Sequence, residues 1–375
     1  MTRAWNHHTA AAGKVLSLEI PQRERRPKPA APAAWLLAGL GVILLSGVSL
    51  AAQIHSPQLD SLVRRGQQAL DAGNFLAAAE HFEQARRLAP ESRDVWRGLL
   101  FSYVRGKKLA EAVTVGREAI RRWPQEGQFH HWLGLAYFQS RQNGQAIKQL
   151  RRAQELDPDR YEIHFDLALV YLSLRQFAPA AEELERALRS KPGVAMAHLL
   201  LGRAYQNTNR TLPAMEQFKA ALRITPGIPL GHYHLGFAYE SLGQSDRAIA
   251  EFRKELALRQ DNPEVFYRLG HALLGSGQPA DAVKPLRQAI QLAPRRAAAH
   301  YDLGKALLLL GDAAAATASL RQAIALRPED AAAHYQLARA LEKLGKKVEA
   351  KEMRQRFAEL KKRQQVSGGM AHQPN

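Results

Sequence analysis

Gly127–Arg160 reads GQFHHWLGLAYFQSRQNGQAIKQLRRAQELDPDR, and laying this stretch over the rest of the chain at a fixed offset of 34 residues reproduces its pattern repeatedly. Within it, Leu133, Gly134 and Tyr137 fall on one face of a first helix and Ala146, Leu150 and Ala153 on one face of a second, and Pro158 closes the unit. Two helices this short cannot bury their apolar faces alone, so each unit needs neighbours. The sequence specifies an array.

Its register carries no insertion. Closing prolines stand at Pro90, Pro124, Pro158, Pro192, Pro226, Pro294 and Pro328, with Gln260 in the remaining place. The eighth position of each unit reads Gly66, Leu100, Gly134, Ala168, Gly202, Gly236, Gly270, Gly304 and Ala338, and the twentieth is alanine throughout, from Ala78 to Ala350. Small side chains there let helices approach closely. The eleventh position begins as Ala69 and then supplies a large filler: Tyr103, Tyr137, Tyr171, Tyr205, Tyr239, Leu273, Leu307 and Leu341.

Period, small-residue positions, tyrosine and closing proline together resemble the tetratricopeptide repeat (TPR), a helix-turn-helix unit of 34 residues. The resemblance covers nine units from about Leu59 to Lys361. It implies an all-α, right-handed α-solenoid over 59–361 with a concave groove that binds other proteins, and no particular partner.

The N-terminal part differs in composition. Residues 1–33 hold six Lys/Arg against two Glu, a net +4, with Pro21, Pro27, Pro29 and Pro32 and no apolar period. They read as a disordered basic tail. From Ala33 to Ala52 the run AAWLLAGLGVILLSGVSLAA has 20 residues and no charge, enough at about 1.5 Å per residue to span roughly 30 Å of hydrocarbon. A transmembrane helix, a signal anchor, is expected over 34–54, with the basic tail cytoplasmic by the positive-inside rule and the array outside the cytoplasm. The competing expectation is a cleaved signal peptide, since Ser49-Leu50-Ala51 is a small-residue cleavage pattern, which would leave a secreted or periplasmic array. Subtracting the tail from the total of +18 leaves +14 on the remainder. The last unit breaks the pattern at Arg354 and Phe357 and reads as a polar cap, followed by a disordered tail over 362–375.

Turn chemistry agrees with the period: Gly73-Asn74, Gly243-Gln244, Gly277-Gln278 and Gly311-Asp312 fall between first and second helices. Pro285 lies two turns into a second helix, where a local kink is expected.

Catalytic signatures are missing: the sequence has no HExxH, no GxxxxGK[ST], no GxSxG and no cysteine. No enzyme activity, cofactor or metal is expected. Six histidines recur at the fourth position, His130, His164, His198, His232, His300 and His334. Equivalent residues on stacked helices are separated by about 8–10 Å or more, whereas a zinc ligand sits within about 2.1 Å of the ion. Packing is therefore the expected role.

The resemblance implies that positions two, five, six, nine, twelve and thirteen of first helices line the groove. The C-terminal half is aromatic and basic there, and the candidate protein-binding residues are Tyr233, Phe237, Tyr267, Arg268, His271, Tyr301, Lys305, Tyr335 and Arg339. The partners expected are proteins or peptide segments that carry carboxylates and apolar anchors. Neither the family's carboxylate clamp nor its asparagine ladder is present at the matching positions. Nucleic acid is the alternative ligand, suggested by the +14 array but without base-reading pairs in each repeat. An exported, membrane-tethered scaffold in envelope assembly, secretion or polysaccharide or pilus biogenesis is the expected function.

Overall fold

The computed structural model describes residues 57–370, with side chains over 57–365. The tail expected at 1–33 and the membrane helix expected at 34–54 lie outside the described residues, and no described helix is long and apolar enough to cross a membrane.

Eighteen helices and no strand occur among the described residues. They pair off into nine repeats, from Pro57–Asp71 with Phe75–Leu88 to Ala331–Lys343 with Lys347–Met370. Each second helix packs on its own first helix and on the next repeat's first helix. Neighbouring first helices also approach one another, as in repeats two and three or seven and eight, and no comparably close pair of second helices occurs among the described residues. First helices therefore line the inner side of this solenoid.

Packing follows the small positions read from the sequence. The twentieth-position alanines are buried throughout, Ala78 at 0% and Ala350 at 1% exposed. The eighth position faces a large side chain at the twenty-fourth: a Cβ on Gly202 would stand 2.5 Å from Phe218 Cε1, so only hydrogen fits. Repeat two inverts the pair, with Leu100 at the eighth position and Gly116 at the twenty-fourth. The space over Gly116 is taken by Leu133 of repeat three, whose Cδ1 lies 3.0 Å from where a Cβ would stand. The eleventh-position tyrosines add a polar link between repeats, since the Tyr205 hydroxyl donates to Glu185 at 2.6 Å and the Tyr171 hydroxyl accepts from Arg151 at 2.8 Å.

Between the two helices of every repeat the chain turns through one left-handed residue: Gly73, Lys107, Arg141, Arg175, Asn209, Gly243, Gly277, Gly311 and Gly345. The amide of the next residue bonds back to a carbonyl five residues earlier, as in Asn74 N to Ala69 O and Lys108 N to Tyr103 O. This closes the helix C-terminus. Lys107, Arg141 and Arg175, with φ of 59–60°, hold the same turn without glycine at a strain of about 1–2 kcal/mol each. Of the four expected cap residues only Asn74 and Asp312 accept an amide bond with their side chains, and the longer side chains of Gln244 and Gln278 do not.

The helix Pro279–Leu292 carries Pro285 in its interior. One expectation needs amendment at the C-terminal side. The disordered tail expected from 362 is replaced to Met370 by continuation of the last helix, since the KKRQQ that follows Leu360 consists of good helix formers and nothing breaks the run before Gly368.

Repeat six is irregular. Its first helix starts late, at Gly231, behind Leu230 in the left-handed region at φ 64°. Glu255 occupies the position that carries alanine in most other repeats and is 1% exposed. Its carboxylate reaches back to the amides of Leu230 at 3.0 Å and Tyr233 at 3.4 Å, and so satisfies the shortened helix's open N-terminus.

Candidate interaction face

The nine candidate residues lie on the first helices of repeats six to nine, and the structure divides them into paired and open groups. Arg268 lies over Phe237 at 4.6 Å and bonds to Glu240 at 3.1 Å and Glu264 at 3.0 Å. Glu264 also binds Arg296 at 2.6 Å, and the Arg296 guanidinium caps the Tyr267 ring at 4.0 Å. The sequence reading missed Glu240, Glu264 and Arg296. The charge of Arg268 is thus already neutralised within the face. His271 is likewise held by Asp302 at 2.8 Å, and that bond raises its pKa above the ordinary value against the opposing effect of burial. Burial pushes the Tyr233 and Tyr267 phenols up to about 12, so both stay neutral near pH 7.

Lys305 and Arg339 make no ion pair among the described residues; Arg339 bonds only to Gln336, at 3.2 Å. Tyr335 is the most open aromatic, 43% exposed, with its ring 5.3 Å from Phe357. It borders a cavity of about 350 Å³ shared with Tyr301, Gln336 and Lys361. This cavity lies at the end of the array, where the first helix of a further repeat would pack.

Towards the N-terminus the same face is more apolar and contains a pair that the sequence reading did not assemble. His131 Nε2 lies 2.7 Å from Asp166, with both side chains at most 2% exposed. His131 and Asp166 sit at positions five and six of adjacent repeats, so the link runs from one first helix to the next. Burial raises the Asp166 pKa, and the bond from His131 opposes it.

Five of the six fourth-position histidines take the same packing role, and the sixth, His232, meets the Glu251 carboxylate at 2.6 Å instead. Ring Nε2 of His130, His164, His198, His300 and His334 donates to the proline carbonyl that closes the preceding repeat, at 2.7–3.0 Å. Trp96 makes the same bond from Nε1 to Pro90 O at 2.7 Å. Where the closing proline is missing, at Gln260, the fourth position is Phe266, which has no N–H to donate. That joint absence was a signal available in the sequence.

His164 is special because its other nitrogen, Nδ1, meets the Glu183 carboxylate at 2.6 Å. Both partners are acceptors, so both nitrogens must carry protons. Burial disfavours the charged ring, but the bonds to Glu183 and the Pro158 carbonyl outweigh it and raise its pKa. Burial would raise Glu183 as well, and the bonds from His164 and Arg186 pull it below the ordinary carboxylate value instead. The raised histidine contributes stability that is fully present below 6.5 and lost as pH rises through its folded pKa. The depressed glutamate contributes stability that is present above 4.5 and lost as pH falls through its folded pKa. The pair is therefore worth most between those values. Glu183→Gln should cost about 1.5–3 kcal/mol at pH 5.5, and the melting-temperature gap to wild type should narrow by pH 8. An equal gap at both pH values would contradict this protonation state.

Tetratricopeptide-repeat family models match residues 63–127, 133–193, 165–229 and 267–319, and others match 231–262 and 305–345. No match is found among curated protein sequences. Among solved structures, one in the Cut9–Hcn1 hetero-tetramer of the APC/C is 19% identical over 75% of this chain, with a TM-score of 0.48, and this chain spans 55% of its length. PilF of Pseudomonas aeruginosa is 22% identical over 55% of this chain and 94% of its own, with a TM-score of 0.48. YrrB, described as a TPR protein with an unusual peptide-binding site, is 21% identical over 50% of this chain and 96% of its own, with a TM-score of 0.45. On the family-model matches, which together span most of the array, the chain belongs to the tetratricopeptide-repeat family.

Proposed function

We propose that this chain is a membrane-tethered, exported scaffold whose inner face, over repeats six to nine, holds protein segments in envelope complex assembly, secretion, or polysaccharide or pilus biogenesis. The observation that carries the binding reading is the row of partly exposed aromatics along that face, ending at Tyr335 beside a cavity of about 350 Å³. Support for tethering is the uncharged run from Ala33 to Ala52 behind a basic tail. Nucleic acid is disfavoured because Glu240, Glu264 and Asp302 are interleaved with the basic residues and would repel phosphates. Partners should carry apolar anchors, with Lys305 and Arg339 as the open cations for their carboxylates.

A partner captured from an envelope extract provides the test. Tyr335→Ala should raise its dissociation rate by an amount equivalent to about 1–3 kcal/mol with little change in melting temperature. Unchanged dissociation would remove this end of the face from the binding site. Full-length protein should also stay in the membrane fraction after alkaline carbonate washing, and release as a shorter soluble species would overturn the tether.

A further inference from the structure

The turns that join first to second helices lie along one edge of the array, and the links that join one repeat to the next lie along the opposite edge. Neighbouring turns meet: Arg105, just before the second turn, covers the Phe75 ring just after the first at 5.0 Å, and Lys343, just before the ninth, donates to Leu308 O near the eighth at 3.4 Å. Each turn has three residues between helix ends, and the nine turns together hold six cations, Lys107, Lys108, Arg141, Arg175, Arg210 and Lys346, against one acid, Asp312. That acid is already occupied, since its carboxylate accepts from the Ala315 amide at 3.0 Å. The links on the opposite edge are balanced, with six Lys/Arg against seven Asp/Glu. One edge therefore carries nearly a single sign of charge.

Leucine is the second component of this edge. It opens the turn in repeats four, six, eight and nine, as Leu174, Leu242, Leu310 and Leu344, each 38–47% exposed, and Leu309 and Val348 beside the last two turns are 56% and 75% exposed. These side chains stand at exposed turn tips, away from the cavities beside His164 and Tyr335. Lys108 and Lys346 meet Glu111 and Glu349 at 3.8 and 3.3 Å, whereas Lys107, Arg141 and Arg175 are exposed and enter no ion pair among the described residues. Each of these three holds the left-handed turn position that is glycine in five other repeats. Three exposed cations in successive repeats, kept where glycine would sit without strain, point to a use for the charge. A ligand that is only anionic would leave the leucines in water. The interface of an anionic bilayer suits both components, because phosphate groups meet the cations and the acyl boundary takes the leucines.

We propose that this turn edge is a docking surface for an anionic lipid bilayer, with the turn cations at the headgroups and the turn leucines at the acyl boundary. The inner face stays open to protein segments, and the docking does not depend on the tether.

The test uses the full-length chain, which has no cysteine, with a dye attached at Leu174→Cys on the turn edge or at Gly193→Cys in the link on the opposite edge, where a Cβ meets nothing within 4 Å. Detergent is exchanged for vesicles of phosphatidylcholine alone or mixed equally with phosphatidylglycerol, each containing a spin-labelled lipid that quenches a dye close to it. The Leu174→Cys dye should be quenched in the anionic vesicles only, and the Gly193→Cys dye in neither. At about 1 M salt, where the screening length is about 3 Å, the quenching should vanish. Lys107→Gly, Arg141→Gly and Arg175→Gly together should lower the ratio of docked to free array about a hundredfold, through the loss of three surface cations. The same triple variant should keep or raise the melting temperature, because glycine relieves the turn. A lowered melting temperature would mean that the cations serve the fold, and would overturn the proposal. So would equal quenching of the two dyes, quenching that persists in neutral vesicles or at high salt, or binding of polyglutamate or RNA in place of the anionic vesicles. Flotation reads the tether separately: the chain rises with neutral vesicles only if residues 34–54 insert, whatever the Leu174→Cys dye reports.

Discussion

Trp96→Ala should destabilise the N-terminal repeats by about 3–5 kcal/mol. The indole is 1% exposed and donates to Pro90 O at 2.7 Å. It stands edge-on to Trp123 at 5.7 Å, and Arg86 and Arg122 cover it at 5.0 and 5.2 Å. Truncation therefore opens a cavity, strands a carbonyl and frees two guanidinium groups at once. Trp96→His should be milder, because histidine at this position makes the same proline bond in five later repeats. Coupling along a solenoid passes through neighbours only, so hydrogen-exchange protection should fall over 57–122 and stay unchanged over 297–343. Equal loss along the whole array would refute local coupling, and a Trp96→His variant as damaged as Trp96→Ala would refute the shared role of the ring N–H.

What the sequence made legible depended on whether a feature repeats at the same position. Gly202 opposite Phe218 and the buried alanines from Ala78 onward recur at fixed places, so the period revealed both the helices and their contacts. Charged pairing across repeats does not recur at fixed positions. Arg268 looked like an open cation although one partner, Glu264, stands four residues earlier on its own helix, because the other, Glu240, lies 28 residues earlier on another helix. Only the packed first helices bring the two together. Leu230 and Glu255 were invisible for the same reason: each departs from the pattern singly, and the compensation is a bond that the Leu230 amide donates to Glu255 Oε1.

The His131–Asp166 pair makes the sharper test of what the inner face tolerates. Asp166→Ala should cost about 1–3 kcal/mol, the usual penalty for leaving a buried hydrogen-bonding group without its partner. The pair itself is only half satisfied, since His131 Nδ1 is buried without a partner. A polar pair with an open nitrogen gives little net stability over a well-packed apolar replacement. Leucine is tolerated buried at each position separately, as Leu199 at position five and Leu200 at position six of repeat five are 4% and 7% exposed. The double variant His131→Leu/Asp166→Leu should therefore recover most of the loss and match or exceed wild type in denaturant midpoint. The two changes are then strongly non-additive, because the cost of each single substitution comes from the partner it strands. If the double variant is as unstable as Asp166→Ala, the link between the two first helices itself holds repeats three and four in register, and the apolar core alone does not.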